Sequence, residues 1–332
     1  MTSVSTVTLH LSGQDTIVGL PGGDTYQWAE TVLAIAGFPQ EDDGLHRLPL
    51  GDPNKARACL SSLQQAASGL HVKVVTSPHR FLGDIASGVA SHLPGAWEAT
   101  IERFPQKTNQ DGLTSWLWNT GPLLATMTDY RVPCAAILRD GAGTELLLAQ
   151  RPWDGQYLAG ALLPSPDHLN VTGPAPRCVA ARTISGLAAR IGASLLPEYE
   201  HAVLISRLEE AEEDLCWVGN LEPGTGADSD LNAALDRFLM HAPPVIDLLR
   251  RGKGPSLSAG QTALVDRVEA GLGAAAAGEG TDAMAVWLED GADLIELARI
   301  VATTLATGAR TGVSPAVTPP APAAATGVVR RR

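Results

Sequence analysis

The sequence lacks the segments and the charge pattern that mark membrane and nucleic-acid-binding proteins. It has no run of about 18 apolar residues and no basic start followed by an apolar stretch, so we expect neither a membrane span nor a signal peptide. Acidic residues outnumber basic ones by 36 to 24, without a long basic stripe. Because nucleic acids are bound through Lys and Arg, we expect no nucleic acid and no membrane among its partners. These features predict a cytoplasmic protein.

Spaced cysteine and histidine motifs are also missing. The four cysteines lie far apart among apolar neighbours, which predicts buried free thiols at Cys59, Cys134, Cys178 and Cys216. The eight histidines are scattered, so we expect no zinc site. The chain contains no Gly-x-x-x-x-Gly-Lys-Ser/Thr loop, no His-Glu-x-x-His and no Gly-x-Ser-x-Gly turn. Short motifs therefore indicate no common catalytic class.

Residues 1–110 have the pattern of a small α+β domain whose role the sequence does not indicate. "TVTLHLSG", "DTIVGLP" and "LHVKVVTSP" alternate as strands do, and "LGDIASGVASHL" predicts a short helix. Two further helices are expected, one capped by Asp24 and one capped by Asp52 with Pro53 in its first position. The buried stripe of the first of them is expected to be Trp28, Val32, Ile35 and Ala36.

Residues 111–254 form the second predicted domain. "VPCAAIL" and "ELLLAQRP" flank the glycine turn "RDGAGT" and predict a hairpin. A long Gly/Pro-rich loop leads to the predicted helix "RCVAARTISGLAARIGA". Two strands, "HAVLISRL" and "DLCWVGNLE", are expected around a solvated acidic turn, "EEAEED". The segments "SDLNAALDRFLM" and "PPVIDLLRR" predict two closing helices.

Beyond these domains, the sequence predicts helices and then a tail. Residues 255–307 contain the helical segments "SAGQTALVDRVEAGLG" and "DAMAVWLEDGADLIELARIVATTL". Residues 308–332 are rich in Pro, Ala and Thr, a composition typical of disorder. Nothing in either segment predicts the oligomeric state.

The order of elements over about residues 130–250 resembles the Nudix hydrolase superfamily. "VPCAAILRDGAGTELLLAQRP" is similar to the opening hairpin of that family, and "YLAGALLPSP" occupies the place of its Gly-Leu-Pro-Gly-Gly turn. "SGLAARIGA" resembles the end of the family's box, with Gly192 on its closing glycine. The resemblance implies a mixed-sheet α/β/α sandwich. The expected fold class is therefore α/β (α+β), a Nudix-like sandwich preceded by a small α+β domain and followed by C-terminal helices.

The glutamates of that box are absent from this chain. In the register set by Gly192, its acidic positions hold Arg177, Gly186, Ala189 and Arg190, and residues 171–193 contain no glutamate at all. The resemblance implies hydrolysis of pyrophosphate linkages with a divalent metal held by carboxylates. Since alanine cannot ligate Mg²⁺ and arginine repels it, we expect box-type hydrolysis to be lost and no metal or cofactor to be bound.

The residues in place of the glutamates suggest a binding role instead. Arg177, Arg182 and Arg190 lie on or beside the former metal face, and guanidinium groups can hold phosphate without metal. On a continuous helix, Arg182 and Arg190 would share roughly one face. The first hypothesis is thus a non-hydrolytic binding or regulatory protein for a phosphate-bearing small molecule or a protein partner. The alternative interpretation is that these arginines only solubilise an exposed stripe.

Two other functions remain open from the sequence. A divergent hydrolase of nucleoside-diphosphate-linked compounds could use Mg²⁺ with acids outside the box, with Glu198 and Glu200 as the first candidates. Asp167 and His168 in the long loop, and the acidic run at 209–214, are further candidates. A structural or assembly protein is the last alternative.

Overall fold

The computed structural model describes residues 5–118, 121–164, 175–220, 227–251, 257–277 and 280–311. Within them the chain forms two β-sheets and a set of helices, which confirms the expected α/β class. None of the helices in these ranges combines the length and apolar composition that a bilayer crossing requires.

The first sheet lies near the start of the chain. Its strands are Thr6–Ser12 (β1), Thr16–Gly22 (β2), His46–Pro49 (β3) and Lys73–Arg80 (β4). They follow the order β3-β2-β1-β4, with β1 antiparallel to β2 and parallel to β4. Gly13, at φ +60°, makes the turn between β1 and β2. The three predicted strands are confirmed, whereas β3, only four residues long, was not predicted.

Two helices pack on one face of this sheet. They are Tyr26–Ile35 (α1) and Pro53–Gly69 (α2). The side chains that α1 buries are Ala29, Val32 and Leu33. The predicted stripe was wrong for Trp28 and Ile35, which are 52% and 57% exposed. The reason is that Leu33 packs closely against the bare backbone of Gly19, and this contact turns Trp28 toward solvent.

The starts of the two helices differ. Asp52 caps α2 as predicted, because its carboxylate accepts hydrogen bonds from the backbone N–H groups of Asn54 and Lys55 at 3.0 and 3.2 Å. Asp24 does not cap α1. The cap position is Thr25 instead, and its side chain makes no capping hydrogen bond.

The second sheet is antiparallel throughout, in the order β5-β6-β7-β8-β9. Its strands are Glu98–Arg103 (β5), Cys134–Arg139 (β6), Glu145–Gln150 (β7), Tyr157–Ala161 (β8) and Val179–Ala181 (β9). The predicted hairpin is confirmed as β6–β7. In its turn, Asp140 accepts hydrogen bonds from the N–H groups of Ala142 and Thr144 at 2.8 and 2.9 Å.

Helices cover both faces of the second sheet. They are Leu82–His92 (α3), Asp111–Thr114 (α4) and Pro122–Asp129 (α5). Side chains of α3 pack in one core with Leu138 and Leu148, while Leu123 and Met127 of α5 pack on the opposite face. Successive side chains of β6 and β7 point to opposite faces of the sheet, so these two strands contribute residues to two separate cores.

The two sheets share one of these cores. Val18 and Leu20 of β2 pack in the same cluster as α3 and the second sheet. In addition, β5, from the predicted domain 1–110, pairs with β6 of the predicted domain 111–254. The second sheet therefore takes strands from both sides of residue 110. The division of the chain at that residue stays a prediction.

The segment after β8 departs most from the sequence-based expectation. Where one helix over 177–193 was predicted, the chain forms β9, the helix Ile184–Arg190 (α6) and a π-helical turn at Ile191–Leu195. The two predicted strands after it are wrong, since 201–208 and 214–219 belong to the helix Leu196–Gly219 (α7), while 221 and 222 lie outside the described residues. The acidic run 209–214 is part of α7 and not a turn. The Nudix-like sandwich stays a prediction.

The helix α7 leads into a helical bundle. The other helices are Ala227–Arg251 (α8), Ala259–Ala276 (α9) and Gly280–Thr311 (α10). They pack around Phe238 and Trp287, whose ring centroids lie 5.0 Å apart. The two predicted helices before residue 254 are the single helix α8, whereas α9 and α10 confirm those predicted over 255–307. Helix α10 continues to Thr311, and residues 312–332 of the predicted tail lie outside the described residues.

Candidate functional site

The five candidate residues lie around β9, α6 and the start of α7. Arg177 comes just before β9, Arg182 lies in the turn between β9 and α6, and Arg190 ends α6. Glu198 and Glu200 are in the first turns of α7. The side chain of Thr183 sets the turn by accepting the N–H of Gly186 at 3.2 Å, which begins α6 after Arg182.

Arg177 and Glu198 neutralise each other. The Nε of Arg177 donates to Glu198 Oε1 at 3.0 Å, its backbone N–H donates to Oε2 at 2.9 Å, and Nη2 also contacts Oε1. The hydrogen bonds that Arg177 donates to Glu198 raise the pKa of Arg177. The Arg177 side chain is 76% exposed. A phosphate at Arg177 would have to compete with this carboxylate, so Arg177 is the least available of the three arginines.

Arg190 contacts the edge of the second sheet. Its Nη1 donates to the backbone oxygen of Ala180 on β9 at 2.5 Å. This contact covers part of an edge strand whose backbone would otherwise face solvent. The predicted face shared by Arg182 and Arg190 was wrong, because Arg182 precedes the helix. The two arginines nevertheless lie at the two ends of one short helix, α6.

Arg182 adjoins the β7–β8 hairpin, because Ala181 before it pairs with Tyr157 at the start of β8. The hydrogen bond from Arg151 lowers the pKa of Asp154 to about 2, and the charge of Arg182 adds a smaller contribution in the same direction. Asp154 is engaged by Arg151, whose Nε donates to Oδ1 at 2.8 Å. Arg182 itself is exposed and, within the described residues, makes no hydrogen bond or close ion pair. Among the contacts of the described residues, Arg182 is the least engaged of the three arginines.

An exposed aromatic pair adjoins Asp154. The rings of Trp153 and Tyr130 lie 4.7 Å apart, centroid to centroid, and are 56% and 46% exposed. The guanidinium carbon of Arg151 lies 5.1 Å from the centroid of the Trp153 ring. This pair was not predicted from the sequence, in which Trp153 begins a Gly/Pro-rich loop and Tyr130 lies 23 positions earlier. The feature of the sequence that could have indicated an exposed aromatic residue is a tryptophan next to a turn, where a buried position is not expected.

The hairpin that carries Trp153 is well ordered by local bonds. Arg151 N–H donates to Gln156 O at 2.8 Å, and Gly155 N–H donates to Arg151 O at 3.0 Å. Gly155 has φ +68°, and a Cβ there would lie 2.3 Å from the ring of His79. Only glycine fits both demands. The end of β4 therefore packs directly against this hairpin.

The acidic candidates do not assemble a metal centre. Glu200 is exposed, and Glu198 is engaged by Arg177. Two positions apart on a helix, these carboxylates point in different directions. Within the residues that the structure covers, no group of three His, Cys, Asp or Glu side chains is placed to hold a metal ion. Asp167 and His168 lie outside the described residues.

The acidic run on α7 is used in bundle contacts. Asp214 accepts from Arg237 Nη1 at 3.0 Å and lies 3.2 Å from Nε2 of His241. Glu212 pairs with Arg299 of α10. This explains why the run belongs in a helix: its carboxylates meet basic side chains of α8 and α10.

Comparison with protein-family models, with curated proteins and with solved structures finds no match to this chain. The resemblance to the Nudix superfamily accordingly stays a prediction, resting on the residues quoted above.

Proposed function

We propose that this protein is a non-hydrolytic binding protein for a phosphate-bearing small molecule of the nucleoside diphosphate class. The proposed site is the arginine–tryptophan surface, defined as Tyr130, Arg151, Trp153, Arg182 and Arg190. One observation carries the proposal. Arg182, without a close anionic partner in the described residues, follows Ala181, which pairs with Tyr157 at the end of the hairpin that carries the exposed Trp153.

The charges on this surface favour an anion. Arg151 and Arg177 are each matched by a carboxylate, which leaves Arg182 and Arg190 to compensate added negative charge. A guanidinium has five N–H donors, and the described contacts of Arg190 use the group at Nη1 alone. Arginine can bind phosphate oxygens bidentately. Two such groups suit a diphosphate better than a single phosphate.

The aromatic pair offers surfaces on which the base of a nucleotide could stack. Trp153 and Tyr130 offer apolar faces at the surface, and stacking on such rings is worth about 1–3 kcal/mol per base. The cation of Arg151 already lies beside Trp153, which restricts the motion of this side chain. A ligand with an aromatic base and a diphosphate would use both halves of the arginine–tryptophan surface.

Two features support binding without hydrolysis. Residues 171–193 contain no glutamate, and the first candidate acid after them, Glu198, is engaged by Arg177. Placing Mg²⁺ at Glu198 would require breaking that ion pair and would bring the metal beside a cation, at an electrostatic cost. The Mg²⁺-dependent hydrolase and the assembly protein are thus less well supported.

Isothermal titration tests the proposal with ADP and ADP-ribose, each in EDTA and in Mg²⁺. We expect binding in both conditions, weakened about tenfold by Arg182→Ala, since a hydrogen bond to a charged group contributes about 1.5 kcal/mol or more. The matched control is Arg57→Ala, on the exposed side of α2 far along the chain. Silence with every ligand, or equal affinity in the two variants, would refute the proposal.

A further inference from the structure

The outer edge of β4 offers unpaired backbone groups. β4 ends the first sheet, and within the described residues no strand pairs with its other side. The N–H of Lys73 donates to Ser5 O at 2.9 Å, toward β1. Because backbone direction alternates along a strand, the N–H and C=O groups of Val74 and Thr76 point away from β1. The pairing with β1 becomes irregular between Thr76 and Arg80, and Pro78 in that interval carries no N–H, which limits the edge to these two residues.

An apolar groove lies beside the same two residues. It has a volume of about 430 Å³ and runs between α2 and the first sheet. Its lining includes Leu11, Ile17, Leu60, Leu63, Val74 and Thr76. Side chains of paired strands align on one face of a sheet. A strand added to β4 would therefore place every second side chain on the face that carries this groove, beside Val74 and Thr76.

We propose that the β4 edge and this groove bind an extended peptide by strand addition. The peptide would carry apolar residues at alternate positions, for the groove, and acidic residues at its ends. The charge pattern argues for this occupant, because exposed Lys73 and Arg80 mark the two ends of β4, which contains no acidic residue. Strand addition combines backbone hydrogen bonds for affinity with a pocket for alternate side chains.

The same charges disfavour a second copy of this chain. Antiparallel pairing of two β4 strands would bring Lys73 of each copy to the Arg80 end of the other. Like charges opposed across strands are destabilising. A peptide with acidic ends would instead place negative charges beside Lys73 and Arg80, which is favourable at both ends of β4. The end of β4 packs against the hairpin that carries Trp153, but the peptide site lies on the first sheet, and the argument for it does not depend on the proposed function.

The test begins with selection of a random 12-residue peptide library on the full-length protein, counter-selected on Leu60→Glu. We expect enriched peptides with alternate apolar residues and acidic ends. For one such peptide, N-methylation of the amides that face β4 should weaken binding about tenfold, whereas methylation of the alternate amides should leave it unchanged. Equal effects of the two methylation patterns, or no enrichment above the counter-selection, would overturn the proposal.

Protein variants give a second readout on the same peptide. Thr76→Pro removes an outward N–H, and Leu60→Glu places a charge in the groove, so each should weaken binding about tenfold or more. Gln65→Glu, exposed on α2 and outside the groove lining, is the matched control and should bind normally. Unchanged binding in Thr76→Pro would contradict strand addition. Concentration-dependent dimers abolished by Thr76→Pro would show that a second copy occupies the edge, and would also overturn the proposal.

Discussion

The ring of Trp153 lies 4.7 Å from that of Tyr130, although Tyr130 follows α5 and Trp153 lies in the β7–β8 hairpin. Both rings are about half exposed, so their contact leaves apolar faces open to solvent. Trp and Tyr are among the residues that contribute most to binding surfaces. In a chain with 5% aromatic residues, an exposed pair beside arginines favours recognition over packing.

Trp153→Ala should weaken ADP binding without unfolding the protein. Loss of stacking should cost about 1 kcal/mol or more, which is roughly a fivefold to tenfold rise in Kd. Thermal unfolding should change little, because Trp153 is 56% exposed. Trp28→Ala, at an equally exposed tryptophan of α1, is the matched control for isothermal titration. A Trp153→Ala protein that binds ADP as the wild type does would exclude stacking on this ring.

Glu198→Gln separates binding from hydrolysis. The substitution releases the charge of Arg177, so ADP should bind about threefold more tightly, in line with the small energy of exposed ion pairs. Stability should change by less than about 1 kcal/mol. The measurements are titration and urea unfolding. In the hydrolase alternative the same variant would abolish Mg²⁺-dependent turnover, an outcome that would reverse our assignment.

His10 should make stability depend on pH. It is buried on β1, neither ring nitrogen has a hydrogen-bond partner in the described structure, and burial lowers the pKa of His10. Below about pH 6.5 the unfolded chain takes up a proton that the folded His10 resists. The contribution of His10 to the free energy of unfolding should therefore fall as pH drops from about 7 toward 5. Above about pH 7 this contribution should stay constant.

His10→Leu is the variant that checks this assignment. Removing the buried, unpaired nitrogens should raise the free energy of unfolding by about 1 kcal/mol at pH 7 and reduce its slope below that pH. His71→Asn changes an exposed histidine with φ +54°, a conformation that asparagine tolerates, and should keep the wild-type slope. Urea unfolding between pH 5 and 8 is the measurement. A slope that His10→Leu leaves intact would assign the effect to other groups.

The cysteines should differ in reactivity. Cys134 is buried in β6, and burial raises the pKa of its thiol to about 12, whereas Cys216 on α7 is exposed. The expectation that every cysteine is buried was thus wrong for Cys216, and Cys59 and Cys178 are only half-buried. Alkylation of the native protein, followed by mass spectrometry, should modify Cys216 and spare Cys134 until the chain unfolds. Equal rates at the two thiols would contradict the packing of β6.

Local signals in the sequence predicted much of the fold. Asp52 and Pro53 define the start of α2, and the glycine turn after Arg139 defines the β6–β7 hairpin, because these features act within a few residues. The strands predicted at 201–208 and 214–222 were wrong over 201–208 and 214–219, because their apolar runs are short. The helical spacing of Leu204, Leu208, Ala211 and Leu215 extends across the acidic run between them.

The candidate site was predicted only in part. The arginines could be named from the sequence, but their partners could not, since Arg177 meets Glu198 across 21 residues and Arg182 meets the hairpin through the pairing of β8 with β9. The closeness of Trp153 to Tyr130 is likewise a tertiary effect. Such contacts depend on the order of the strands in the sheet, and the local spacing of apolar residues does not determine that order.

Phosphorus NMR of ADP mixed with the full-length protein tests the central claim most directly. In EDTA, and again after addition of Mg²⁺, we expect the phosphate resonances to shift or broaden with protein concentration, less so with Arg182→Ala, while no new resonance forms over a day. Unperturbed ADP resonances would show that these arginines hold no diphosphate. A growing AMP or orthophosphate signal would show that the protein is a hydrolase after all.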